Sequence, residues 1–139
     1  MNFFEQELRK LAGQSGMLTD SKYVGRACYC KVSDSIRAKI RFVTMGTHEY
    51  YEALEAKLIN NTEGVIDNSI IRFQDIWGVK KFADFPDGIS PHIWTYKGKP
   101  EWYGFEPGPA DYELLAGSLD EYLELFSEDM EQGYGQTMT

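Results

Sequence analysis

The first apolar positions of the chain recur at i, i+4, i+7 and i+8, which is the spacing of a helix that lies on a core. These positions are Phe4, Leu8, Leu11 and Ala12. Asn2 and Glu5 are spaced like the two polar residues of a capping box, and the polar stretch 13–16 follows the last apolar position. The pattern predicts a helix over residues 3–12.

Between Tyr23 and Met45 the apolar positions recur every second residue, as in strands with one buried face. Around the turn 33–35 they are Val24, Cys28, Cys30 and Val32, then Ile36, Ala38, Ile40 and Phe42. With a three-residue loop these two apolar sets share one face of a β-hairpin. The predicted partners are Val32 and Ile36, Cys30 and Ala38, and Cys28 and Ile40. The other face then carries Tyr29, Lys31, Arg37, Lys39 and Arg41.

Residues 50–59 fit two structures. Good helix formers favour a helix, whereas the alternation of Leu54, Ala56 and Leu58 favours a strand. A turn cluster at 60–64 and a β-branched run from Val65 to Phe73 come next. Because that order is typical of a hairpin, we predict a strand over 50–59 and a second hairpin.

A third hairpin is predicted from His92–Tyr96 and Glu101–Phe105, around a turn at 97–100. It carries Trp94, Trp102 and Tyr103. Pro100 cannot donate a backbone hydrogen bond, so the second of these strands is expected near an edge of the sheet.

The stretch 74–91 is interpreted as an apolar connector that contains Ile76, Trp77, Phe82 and Phe85. A final helix is predicted to start at Pro109, and its apolar residues are Tyr112, Leu115, Ala116, Leu119, Tyr122, Leu123 and Phe126. We predict the α+β class, with an antiparallel sheet of about six strands in three hairpins, flanked by an N-terminal and a C-terminal helix. Residues 1–127 are expected to form a single domain, and 128–139 a flexible acidic tail.

The composition is that of a folded globular chain, with 42% hydrophobic and 26% charged residues in 139 positions. No apolar run is long enough for a membrane helix, and the N-terminus lacks the pattern of a signal peptide. We therefore expect a cytoplasmic protein without a membrane partner. Cys28 and Cys30 point to the same side of one strand, so reduced thiols in the core are expected.

The net charge of −8 is unevenly distributed along the chain. All 14 Lys and Arg residues precede residue 100, whereas ten of the 22 Asp and Glu residues follow it. The excess negative charge therefore belongs to the last segment, and any function that needs negative charge should map there.

Three strings, MNFFEQELRKL at 1–11, IIRFQDIWG at 70–78 and PHIWTY at 91–96, resemble a family of small proteins from mobile genetic elements of Gram-positive gut bacteria. The resemblance implies no catalytic residue and no particular activity. It does imply a context, because small accessory proteins of such elements often bind host defence or replication proteins.

The sequence offers little material for catalysis, metals or cofactors. Cys28, Cys30, His48 and His92 are zinc-type ligands, but Cys-Tyr-Cys on a strand lacks the turn spacing of a structural zinc site. Asp75, Asp84 and Asp87 are not spaced as a calcium loop. No phosphate loop or nucleophile motif is present. We expect no metal, no cofactor and no enzymatic activity.

Two charged surfaces are candidates for binding. The basic strand face of Lys31, Arg37, Lys39 and Arg41, with Tyr29, is a candidate for nucleic acid, although a net charge of −8 opposes a polyanion at long range. The carboxylates expected on the outer side of the last helix are Glu113, Asp120, Glu121, Glu124 and Glu128. They are interpreted either as a solvated face or as an imitation of a phosphate row.

Our leading hypothesis is a non-enzymatic protein-interaction module. It would bind a basic nucleic-acid-handling protein through the acidic helix and an aromatic group of Trp77, Trp94, Trp102 and Tyr103, since aromatic residues anchor interfaces. A mobile-element inhibitor of a DNA-targeting nuclease is the specific version. The alternatives are a small-molecule site or enzyme near Trp77, His92 and Trp94, and nucleic-acid binding by the basic strand. Homo-oligomerisation stays open.

Overall fold

The protein is described by a computed structural model that covers residues 1–46, 49–78, 90–103 and 105–138, without the side chains of 96 and 128–138. The helices are α1 (Phe3–Ala12), α2 (Phe73–Trp77) and α3 (Pro109–Met138). The strands are β1 (Lys22–Val24), β2 (Ala27–Lys31), β3 (Ile36–Thr44), β4 (Tyr50–Asn60), β5 (Gly64–Arg72), β6 (His92–Tyr96) and β7 (Lys99–Tyr103).

The described strands form one antiparallel sheet of seven, in the order β1-β2-β3-β4-β6-β7, with β5 also on β4. One edge of the long strand β4 pairs with β3. Its other edge pairs first with β6, at Tyr50 and Tyr51, and then with β5, from Ala53 to Asn60. The predicted α+β class, with an antiparallel sheet and helices at both ends of the chain, is confirmed.

One face of the sheet, called here the inner face, is covered by α1 and α3. Leu8 and Leu11 of α1 and Leu119 of α3 are fully buried there with Ile40 of β3. The opposite side of the sheet, the outer face, carries the residues that alternate with these buried ones. The sheet therefore separates the helices from the outer face.

The predicted register of the first hairpin is confirmed. Cys28 is the Cα partner of Ile40, and Cys30 that of Ala38, so all four side chains lie in the core. The chain before this hairpin differs from the prediction. Gly25, at φ 61, reverses the chain, so β1 folds back on β2 and Val24 is 65% exposed instead of buried.

Residues 50–60 form a strand, as predicted, because the alternation of Leu54, Ala56 and Leu58 buries all three against the core. The turn that follows is tied by Oδ1 of Asn60, which accepts from the backbone amides of Thr62 and Glu63 at 2.9 and 3.2 Å. The cross-strand register shows one extra residue of β4 opposite Val43 and Thr44. This bulge turns Tyr51 to the inner face and Tyr50 to the outer face.

The third hairpin has a tighter turn than predicted. Only Lys97 and Gly98 lie outside the strands, and both have positive φ (53 and 78), as in a type I′ turn. Pro100 lies in β7, which is the last strand on its side of the sheet, as expected for a proline.

Two further segments differ from the expected description. Residues 74–77 of the predicted connector form the short helix α2 together with Phe73, which was predicted to end the preceding strand. Phe82 and Phe85 lie outside the described residues. The backbone of α3 continues to Met138, past the expected end near Ser127. The flexible tail over 128–139 stays a prediction. No helix of the described part is long and apolar enough to cross a membrane.

Candidate functional site

The outward side of α3 carries three of the predicted carboxylates. Glu113, Glu121 and Glu124 are exposed. The same side also exposes Leu114 to 60% and Leu125 to 53%. Glu113 and Glu124 are eleven positions apart, so they lie nearly in line along the helix, separated by about 16 Å. The surface, called here the α3 face, therefore combines negative charge with two apolar side chains.

Asp120 does not belong to the α3 face. Its Oδ1 accepts a 2.5 Å hydrogen bond from the hydroxyl of Ser15, and its Oδ2 accepts a 2.8 Å bond from the backbone amide of Gly16. Asp120 thus fastens the loop after α1 to α3, which is a structural role. Glu128, also predicted for this surface, has its side chain outside the described part.

Of the four predicted aromatic contact residues, Trp77 lies in the core and Trp102 is partly buried and packs against it. Trp77 is 7% exposed and donates a 2.8 Å hydrogen bond to the carbonyl of Asp111. Trp102 packs edge to face against Trp77, with ring centroids 5.9 Å apart, and is also in contact with Phe73. Neither is placed to anchor a partner.

A buried carboxylate holds this aromatic group in position. Glu7 is 2% exposed, and its Oε1 accepts 2.8 Å hydrogen bonds from Nε1 of Trp102 and from the hydroxyl of Tyr112. Its Oε2 lies 2.9 Å from Nζ of Lys10. Burial and the nearby negative charge of Glu7 raise the pKa of Tyr112, so this hydroxyl stays protonated as a donor. The sequence held a signal for this site, because Glu7 lies three positions after Phe4 and four before Leu11, at the border of the apolar stripe of α1.

The other two aromatic residues are on the outer face. Trp94 is stacked on Tyr50 at an interplanar angle of 11°, and Tyr103 is 5.1 Å from Trp94 between ring centroids. Trp102 and Tyr103 are consecutive residues of β7 and point to opposite sides, which is why the predicted group is divided.

His92 is buried within the outer group. Its ring is 4.7 Å from that of Tyr50 and 5.2 Å from that of Tyr103, and Nδ1 lies 2.9 Å from the carbonyl oxygen of Ser90. Trp77 is on the inner face, so the sheet lies between it and His92. Trp77, His92 and Trp94 therefore do not form a shared site. His48 lies outside the described residues.

Arg41, at one end of the basic strand, is neutralised within the molecule. Its Nε lies 2.8 Å from Oε1 of Glu55, and Nζ of Lys57 lies 3.8 Å from the same oxygen. Burial alone would raise the pKa of Glu55, but the hydrogen bond and charge of Arg41, with Lys57, outweigh burial and lower it. Arg41 is therefore a structural ion-pair partner.

The remaining basic side chains of this face lie next to one another. Lys31 is the Cα partner of Arg37, and Lys39 is the Cα partner of Lys57. Lys57 was not among the predicted site residues, because its position beside Lys39 depends on how β3 pairs with β4. The outer face of β2, β3 and β4 thus collects four cations in two neighbouring pairs.

The acidic and basic surfaces are on opposite sides of the molecule. The buried side of α3 faces the core, so Glu113, Glu121 and Glu124 point away from the sheet. Arg37 and Lys39 alternate with the buried Ile36, Ala38 and Ile40 and point outward from the other side of the sheet. None of the ion pairs among the described side chains joins the two surfaces. The charges are segregated in space as well as in sequence.

Cys28 and Cys30 lie in the core as free thiols. Burial raises the pKa of both, that of Cys30 to about 12. Within the part of the chain that the structure describes, no three His, Cys, Asp or Glu side chains are grouped as metal ligands. The thiols behave as small apolar side chains.

Comparisons with known proteins add no assignment. A scan of protein-family models and searches of curated proteins and of solved structures returned no match to this chain. The geometry and charge of the surfaces described above are therefore the basis on which a function is inferred.

Proposed function

We propose that the protein is a non-enzymatic interaction module that binds a basic protein through the α3 face. The observation that carries the proposal is the composition of this face, in which Glu113, Glu121 and Glu124 lie with the exposed Leu114 and Leu125. No Lys or Arg follows residue 99, so no cation of α3 offsets these carboxylates. A basic partner would be attracted by this field and oriented by it.

The two exposed leucines of the α3 face supply apolar surface that a partner can bury. Exposed carboxylates accelerate association, but burial of apolar side chains provides much of the free energy that holds a complex together. Leu114 and Leu125 are eleven positions apart, so they lie on one side of α3 about 16 Å from each other. A partner with a basic centre and two apolar contacts would match this surface.

The narrower form of the proposal concerns the kind of partner. Carboxylates in a row can take the place of nucleic-acid phosphates, so a protein with a basic nucleic-acid groove fits the α3 face best. Given the resemblance to mobile-element proteins, a host DNA-targeting nuclease is the specific candidate, and the protein would act as its inhibitor. Trp77 and Trp102 are left out of this contact because Trp77 is in the core and Trp102 packs against it.

The test is capture of a partner from the lysate of a Gram-positive gut bacterium. Wild-type protein is compared with the triple variant E113Q/E121Q/E124Q and with the matched control D20N/E63Q/E101Q, which loses the same charge from exposed residues elsewhere. We expect one protein to be retained by the wild type and the control, to be released as salt rises, and to be absent with the triple variant.

Three results would overturn the proposal. They are the absence of any specific partner, equal retention by the triple variant, and equal loss with the control, which would indicate net charge and not the α3 face. Circular dichroism of all variants verifies that they fold. The variant L114A/L125A should weaken retention at high salt as well as at low salt, because apolar contacts are not screened.

A further inference from the structure

We propose that the outer face of β2, β3 and β4 binds the backbone of a single-stranded nucleic acid. The proposal is independent of the α3 face and concerns the opposite side of the molecule. It starts from the two cross-strand pairs Lys31 with Arg37 and Lys39 with Lys57. Like charges directly opposite each other destabilise a sheet, so both pairs carry a cost that a bound anion would offset. Glu55, whose Oε1 lies 3.8 Å from Nζ of Lys57, compensates part of this cost in the second pair.

Not every cation on these strands lacks a compensating carboxylate. Arg41 is on the same side of β3, yet Glu55 lies 2.8 Å from its Nε and accepts a hydrogen bond from it. On β4, Lys57 lies opposite Lys39 and Ile59 lies opposite Arg37. A carboxylate at either position would have neutralised its partner on β3, as Glu55 neutralises Arg41. Lys31 does pair with Asp34 at 3.2 Å, but both side chains are largely exposed, and such pairs contribute little. The positive field is therefore concentrated around Arg37 and Lys39.

An aromatic ring lies among these cations. Tyr29 is the Cα partner of Lys39 on one side and of Lys22 on the other, and Nζ of Lys39 is 5.9 Å from its ring centroid. A hollow of about 310 Å³ adjoins the ring and is lined by side chains that include Lys22, Tyr29, Lys31 and Arg37. Its lining also includes Asp20 and Asp34, so cations outnumber carboxylates around the hollow but are partly compensated by them.

This combination selects the class of ligand. Single-strand binders join a basic surface that follows the phosphates to aromatic rings on which bases stack. An acidic peptide would pair with the cations, but its carboxylates would not stack on the ring of Tyr29. A duplex hides its bases from a ring on a flat sheet. A single strand uses both features.

The net charge of −8 does not exclude this binding, because most of the excess is on the far side. The carboxylates of the α3 face are separated from the outer face by at least the thickness of a helix, about 10 Å. That exceeds the Debye length of about 8 Å at physiological ionic strength. An approaching strand is therefore exposed mainly to the charges of the outer face.

The test measures fluorescence anisotropy of a labelled oligothymidylate of about 12 nucleotides, a length within the usual site sizes of single-strand binders. Wild-type protein is compared with R37Q/K39Q and with the matched control K97Q/K99Q, which loses one cation from the β6–β7 turn and one from the start of β7. Affinity is measured across salt concentrations from about 50 to 200 mM, because each phosphate contact contributes about 0.7 to the slope of log affinity against log salt.

We expect R37Q/K39Q to reduce that slope by about 1.4 and the control to leave it unchanged. The variant Y29L should weaken binding roughly tenfold at constant slope, since it removes stacking and no charge. R37Q/K39Q should melt at or above the wild-type temperature, because it relieves repulsion while it removes binding. Weaker binding combined with an unchanged or higher melting temperature distinguishes the loss of a ligand contact from a loss of folding.

Four results would overturn the proposal. The first is no binding at about 50 mM salt, where phosphate contacts are strong. The second is equal weakening by the control, and the third is unchanged binding by Y29L. The fourth is equal competition by polyglutamate of the same charge, which would assign the outer face to acidic proteins, including the α3 face of a second copy.

Discussion

The hydroxyl of Tyr112 donates a 2.8 Å hydrogen bond to Oε1 of Glu7, across 105 positions of sequence. Nε1 of Trp102 donates to the same oxygen at 2.8 Å, so one buried carboxylate connects α1, α3 and β7. Lys10 lies 2.9 Å from the other oxygen and compensates its charge. Because a buried charge is costly unless it is paired, these contacts stabilise the packing of α1, α3 and β7 against one another.

Replacement of Tyr112 by Phe tests this connection. The variant keeps the ring in the core but leaves the charged Glu7 with one donor fewer, so we expect a loss of about 1.5–3 kcal/mol in the free energy of unfolding. Urea denaturation measures it. Tyr122→Phe is the control, because its hydroxyl donates to Asp67 at the surface and its loss should cost at most about 1 kcal/mol. Equal losses in the two variants would contradict the role of Glu7.

Replacement of Asp120 by Ala separates a structural carboxylate from those of the α3 face. The change removes the acceptor of the Ser15 hydroxyl and of the Gly16 amide, so about 1–2 kcal/mol of stability should be lost. Glu121→Ala, at the next position of α3, should change stability by less than about 0.5 kcal/mol. Thermal or urea unfolding compares them, and a larger effect at Glu121 would reverse the assignment.

Much of the fold was predictable because its signals are local. The period of two between Cys28 and Phe42 fixes which side chains are buried, and the register of the first hairpin follows from it. The reversal at Gly25 was missed, since a single glycine in a strand pattern is compatible with a bulge, a bend or a turn. The bulge of β4 and the division of its edge between β5 and β6 depend on distant pairings that no local pattern contains.

The candidate surfaces were predicted less completely, for a different reason. A residue type indicates charge or size but not what the side chain contacts. Asp120 and Glu121 are neighbours of the same charge, yet only Asp120 faces the loop after α1. Trp102 and Tyr103 could have been separated from sequence alone, because consecutive residues of a strand point to opposite faces. The position of Lys57 beside Lys39 could not have been predicted, because it depends on the pairing of β3 with β4.

The two thiols should react only after unfolding. Burial raises the pKa of Cys28 and of Cys30, that of Cys30 to about 12, so the reactive thiolate is scarce near neutral pH and is shielded from reagents. An aromatic disulfide reagent should therefore label neither thiol in the native protein and both in denaturant. Rapid labelling of native protein would show that the β2–β3 hairpin opens readily or that the thiols are not in the core.

The ion pair of Glu55 predicts a pH dependence of stability with a defined sign. The pKa of Glu55 is lowered below its usual 4.5 in the folded protein, so the folded state releases this proton more readily than the unfolded state. The stabilisation is therefore complete above about pH 4.5 and is lost as the pH falls through the lower folded value. Since Arg41 is 42% exposed, Glu55→Gln should cost only about 1 kcal/mol at neutral pH.

The measurement is urea unfolding of wild type and Glu55→Gln at several values between about pH 3 and 7, where the difference in stability should shrink towards the acid end. Glu63→Gln, an exposed turn residue, is the control and should show no such trend. A difference that stays constant with pH would mean that the carboxylate contributes through packing and not through charge. In that case Arg41 would no longer be neutralised by Glu55 and would join Arg37 and Lys39 as a free cation of the outer face.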